Sequence, residues 1–117
     1  MVNPISINKI AKQFCETAAD LLTGDRASAH GEASVNFDRI ASLWSAYLHK
    51  DIAGNQVPIM MTLLKIARST GGDYNEDDYI DMCGYSALAG EMAAKQFEQA
   101  NGDNRLYRGR KDYEEGK

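Results

Sequence analysis

Apolar residues fall into four stretches spaced by the 3.6-residue turn of an α-helix, with short runs of glycine, asparagine and aspartate between them. Across residues 6 to 22, Ile7, Ile10, Ala11, Phe14, Ala18, Leu21 and Leu22 share one stripe, with Ser6 placed to cap its start and Gly24 to stop it. The small and polar run GDRASAHGEA predicts a loop. Ser34 then suits the N-cap of a second helix that carries Phe37, Ile40, Ala41, Trp44, Tyr47 and Leu48 on one face and ends near Lys50.

The third stretch has a different pattern. Pro58 fits a helix's first turn, where its missing N–H would be unbonded anyway. Behind it Val57, Ile59, Met60, Met61, Leu63, Leu64, Ile66 and Ala67 occupy most of the circumference. Such a helix is expected to be buried on several sides, at the centre of a bundle or in the interface of a two-fold homodimer. The turn GGDYN ends it, and a fourth helix is predicted from about Asn75 to Gln99, with Ile80, Cys83, Gly84, Ala87, Leu88 and Phe97 facing inward. Gly84 and Gly90 each cost about 1 kcal/mol relative to alanine in a helix, which predicts close helix approach as compensation. With no internal repeat and no hairpin signal, the fold class is all-α. Residues 1–100 form an antiparallel bundle of about four helices, with Phe14 and Trp44 in its core, and residues 101–117 form a charged tail.

Composition narrows the setting. At 117 residues the chain holds one small domain. No apolar run is long enough to span a bilayer, and residues 1 to 20 lack the pattern of a signal peptide, so a soluble, cytoplasmic protein is expected. The net charge of -4 argues against non-specific nucleic-acid binding. The tail is the local exception: Arg105, Arg108, Arg110 and Lys111 interleave with Tyr107 and Tyr113, more simply a solvated arm than a contact surface. Cys15 and Cys83 have no C-x-x-C spacing and are expected to be separate buried thiols of an intracellular protein.

The candidate chemistry lies on the last two helices and the loop before the second. Asp78, Asp81, Tyr85, Leu88 and Met92 form one stripe of the fourth helix. Acids in a first turn are favoured by the helix dipole, which accounts for Glu76 and Asp77. Asp81 lies deeper and needs a partner. Lys65 and Arg68 share a face of the third helix, and the short turn is expected to bring them to Asp78 and Asp81. A salt-bridge network and a phosphate-plus-magnesium site both fit that arrangement. In the preceding loop Glu32 is placed to join the aspartates on a hard cation, since magnesium uses one or two carboxylates and leaves other positions to water and phosphate. His30 is a lone loop histidine, more often solvated than a ligand. No zinc spacing, Walker loop or dinucleotide fingerprint is present.

Arg26-x-x-x-His30-Gly31-Glu32, Asn36, Leu43-Trp44, Met61-x-x-Leu64-Lys65-x-x-Arg68 and Asp77-Asp78-x-x-Asp81-x-x-Gly84-Tyr85 together resemble a small family found mostly in phages and prophages. More distantly they resemble the all-α nucleotide pyrophosphohydrolases of the MazG type. That resemblance implies magnesium held by acidic pairs on neighbouring helices, cleavage of a nucleoside triphosphate to monophosphate and pyrophosphate, and a dimeric assembly. It places Glu32, Asp78 and Asp81 on the metal, and Lys65, Arg68, His30, Trp44 and Tyr85 on the nucleotide and its phosphates. The family's first acidic motif, E-x-x-E, is missing: the second helix offers only Asp38, with Glu32 just ahead of it. Three functions follow as expectations: a MazG-like hydrolase, a protein that binds a nucleotide or nucleotide signal without turnover, and a phage-encoded inhibitor acting on a host protein.

Overall fold

A computed structural model of the protein describes residues 7–24 and 32–101, which form four α-helices with no strand among them. They are α1, Lys9–Thr23; α2, Ala33–Leu48; α3, Gln56–Gly71; and α4, Glu76–Asn101. The predicted Ser6 cap, His30 and the basic tail lie outside the described residues. None of the described helices is long and apolar enough to cross a membrane.

Helix α4, about 39 Å long by its helical rise, is the element the others use. It packs most extensively against α3 and next against α1, while α2 rests on α3. Its start is set locally, because the Asn75 side-chain carbonyl accepts the Asp77 N–H at 3.1 Å and three acids occupy the first turn beside the positive end of the dipole. Ion pairs from Lys65 to Asp81 and from Arg68 to Asp78 step forward along α3 and backward along α4, so the two helices run antiparallel. The four-residue connection between them leaves no other arrangement.

The connection from α2 to α3 is equally constrained. His49 ends α2 in the left-handed region at φ 56°, and the Ser45 hydroxyl oxygen accepts the Ile52 N–H at 2.8 Å. The Gln56 side chain accepts the Ala53 N–H at 2.9 Å, closing the first turn of α3. A Cβ at position 54 would collide with the Asp38 carboxylate, which is why the chain needs glycine where it passes close to α2. These bonds hold Val57, fully buried, against Phe37 and Ala41 of α2, with Ile40, Trp44, Ile52, Met61, Tyr85, Leu88 and Met92 around them.

The structure corrects several expectations. Helix α3 is not the most buried element: Ile59, Met60, Leu63, Leu64 and Ile66 are exposed, Leu63 to 58%. The reason is topological, since α4 and α2 cover only part of its circumference. Phe14 and Trp44 are half-buried at the edge of the core rather than inside it. Ala87 and Phe97 are exposed on α4. A Cβ at Gly84 or Gly90 would meet nothing within 4 Å, so neither marks a close helix approach. Ser34 does not cap α2: the helix begins at Ala33, and the Ser34 hydroxyl donates instead to the Glu32 carboxylate at 2.9 Å.

Two valines test where the stabilising contacts lie. Val57→Ala removes methyl groups from a site with no exposure and is expected to cost about 2 kcal/mol in chemical denaturation. Val35→Ala, on the outer face of α2, is expected to stay within about 0.5 kcal/mol of the parent.

Candidate functional site

Packing of α1 and α2 beside α4 leaves a cleft of about 460 Å³, within the range of small-molecule sites. Its walls are apolar: Ala18, Leu21 and Leu22 from α1, Ala33 and Phe37 from α2, and Ile80 and Leu88 from α4. The polar groups on it are Glu32, Asn36, Asp81, Tyr85 and Glu91. Gly84 lies on the same lining, and its missing side chain leaves the space in front of it open. That is the structural use of a glycine that helix propensity alone disfavours.

Each carboxylate in the cleft is oriented by a neighbour. Glu32 stands at the cap position of α2 and accepts the Ser34 hydroxyl. Asp81 is held by Lys65, whose Nζ lies 2.9 Å from Oδ2. The side chains of this pair are 13% and 31% exposed, so both charges are largely out of water. Asp81 and Lys65 are therefore partners, as the two-helix reading predicts, and the lysine's charge is directed at the carboxylate on the cleft wall.

Asp78 has a different role. It is 3% exposed, its Oδ1 has no hydrogen-bond partner among the described residues, and Arg68 Nε stands 3.8 Å away. The expected joint placement of Glu32, Asp78 and Asp81 on one cation is not what the helices produce. Glu32 and Asp81 share the cleft, Asp78 is turned toward Arg68, and no three of the described histidines, cysteines, aspartates and glutamates are grouped to hold a metal ion. Asp78 and Asp81 are three residues apart, only about 60° around the helix, and both reach α3, Asp78 at Arg68 and Asp81 at Lys65, but only Asp81 also lines the cleft.

The residues expected to hold phosphates also separate. Lys65 and Arg68 pair with Asp81 and Asp78 and neither lines the cleft; Trp44 packs against the Phe37–Val57 core; among the described members of that set only Tyr85 reaches the cleft. Glu91 on the cleft wall was not singled out from the sequence, although its position seven residues after Gly84 returns to nearly the same face of α4. The cysteines differ from expectation too. Cys15 is exposed rather than buried, and its thiol meets that of Cys83 across α1 and α4. Burial, then the Cys15 thiol beside it, push the Cys83 thiol above its ordinary value.

A family model described as a domain of unknown function, DUF6378, matches residues 13–93. The chain is 37% identical over 84 residues to the "Gene 55 protein" of Mycobacterium phage L5, an alignment taking in 71% of this chain and 54% of that protein. It is 39% identical over 77 residues to the "Gene 55 protein" of Mycobacterium phage D29, covering 66% of this chain and 51% of the relative. The chain thus spans about half the length of the curated relatives it matches. No solved structure gives a significant match.

The Lys65–Asp81 pair makes a direct prediction. Asp81→Asn strands a lysine that is 13% exposed and is expected to cost about 2 kcal/mol, less than a fully buried pair would because Asp81 keeps some contact with water. Asp77→Asn, at the exposed helix start, is expected to change stability by less than about 0.5 kcal/mol. A thermal-denaturation cycle adding Lys65→Met should show coupling of about 1 kcal/mol or more between positions 65 and 81, and additive effects would remove the pair from the account.

Proposed function

The chain belongs to the DUF6378 family, and from that premise we propose that it is a nucleotide-handling protein whose cleft takes a nucleoside triphosphate as its magnesium complex. The observation carrying this reading is the convergence of Glu32 and Asp81, far apart in sequence, on one apolar cleft. The MazG-type likeness of the α4 acidic spacing supplies the chemical precedent. The apolar walls and Tyr85 suit a base and sugar, and the volume suits a ligand of that size.

The charge on the lining selects the form of the ligand. Among the described residues, three carboxylates and no basic side chain line the cleft, a lining that repels a bare triphosphate. A magnesium ion bound to the phosphates reverses that sign, and magnesium commonly takes only one or two protein carboxylates. Glu32 and Asp81 fit that role; the ion would supply neutralisation of the phosphate charge and polarisation of a phosphorus centre. The chain's own contribution is orientation. Ser34 fixes Glu32, Lys65 fixes Asp81, and the walls from α1 and α4 exclude water from the base.

A second reading concerns assembly and rests on a separate observation. Ile59, Leu63 and Ile66 lie at i, i+4 and i+7 on α3 and are all exposed. An exposed apolar row of this kind is characteristic of an association surface. We propose that it is the contact face of a two-fold homodimer. Contact with a host protein is a further use that the same face would permit.

Calorimetry over a panel of nucleoside triphosphates is expected to show binding with magnesium and none with a chelator present. Glu32→Gln or Asp81→Asn should weaken it at least about tenfold, whereas Trp44→Phe should leave it unchanged. Gly84→Ala is the sharper variant: it should stabilise α4 by about 1 kcal/mol and yet weaken binding, because its methyl enters the cleft. Equal affinity with and without the chelator would overturn the magnesium reading. Pyrophosphate release in the same mixtures separates a hydrolase from a sequestering protein. For the assembly, light scattering should give a dimer that Leu63→Glu converts to a monomer of unchanged helicity; a monomeric parent would contradict it.

A further inference from the structure

The two cysteines are far apart in sequence and adjacent in space. Phe14 of α1 stacks on Tyr79 of α4, ring centroids 6.4 Å apart and planes within 13°, which fixes how the two helices meet. Cys15 follows Phe14, and Cys83 lies one turn beyond Tyr79. The two thiols stand close enough for Cys15 to act on Cys83, with Cys15 exposed and Cys83 half-buried. Ala18, one turn beyond Cys15, and Gly84, the residue after Cys83, both line the cleft, so the thiols sit where the α1 wall joins the α4 wall.

We propose that Cys15 and Cys83 are a thiol-oxidation site, which a low-molecular-weight disulfide closes into an intrachain bridge between α1 and α4. The exposed Cys15 attacks first: its thiolate forms a bond to one sulfur of the small disulfide, and the other sulfur leaves as a thiolate that takes a proton from solvent. Cys83 then loses its proton to solvent and attacks the Cys15 sulfur, expelling the second small thiol. The protein gives up two electrons and two protons, and the small disulfide gains both as two thiols. The bridge ties the α1 wall covalently to α4, against which it packs. In a reducing compartment the pair stays open, so the bridge reports oxidation and is reversible. The site stands whether or not the cleft takes a nucleotide.

Oxidised glutathione is the probe. Incubation of the folded protein should remove both free thiols, lower the intact mass by two hydrogen atoms and leave the chain monomeric in covalent terms on a non-reducing gel. The melting temperature should rise by at least about 5 °C and return on reduction with dithiothreitol. Cys83→Ser, its fold checked by circular dichroism, should instead retain one glutathione on Cys15, because no second thiol resolves it. A parent protein that keeps glutathione on Cys15 without forming the bridge, or that cross-links only between chains, would overturn the proposal.

Discussion

The structure depends on the ion pair between Lys65 and Asp81. It lies between the two helices with the most extensive contact, at 2.9 Å and largely out of water, where removing either partner would strand the other charge. Such a pair contributes little net stability compared with an apolar isostere, so its value lies in what it specifies. It sets the register of α3 on α4 together with Arg68 and Asp78, and it holds the Asp81 carboxylate at the wall of a cleft whose other surfaces are mostly apolar.

That arrangement reverses the electrostatics suggested by the basic residues alone. Lys65 and Arg68 each pair with an aspartate, and among the described residues the charged groups on the cleft lining are Glu32, Asp81 and Glu91. An anionic ligand needs a cation with it, whereas a site built on free lysine and arginine would not. In the proposed function, the need for a divalent ion follows from which side chains face one another across α3 and α4. The same topology leaves α3 with an uncovered apolar row, because α2 and α4 approach it from only part of its circumference.

Four helices, their order and the pairing of Asp81 with Lys65 or Arg68 were legible in the sequence because periodicity and a short turn determine them locally. The GGDYN turn forces α3 and α4 into a hairpin, and the acidic first turn marks the start of α4. Side-chain direction was less legible. Asp78 and Asp81 share a stripe and both pair with α3, yet only Asp81 also reaches the cleft lining. The wrapped apolar pattern of α3 signalled a need for cover without saying whether the same chain supplies it. Gly84 reads as a flaw in a helix until the cleft in front of it is seen, and Cys15 with Cys83 has no sequence signature because the contact depends on how α1 lies on α4.

Locating a bound nucleotide tests the central claim most directly. In an amide NMR titration of a nucleoside triphosphate with magnesium, the account predicts the largest shifts at Leu22, Ala33, Gly84 and Leu88, which surround the cleft, with little change at Trp44 or Arg68. Perturbations centred on Arg68 and the turn after α3, with the cleft amides unmoved, would contradict it.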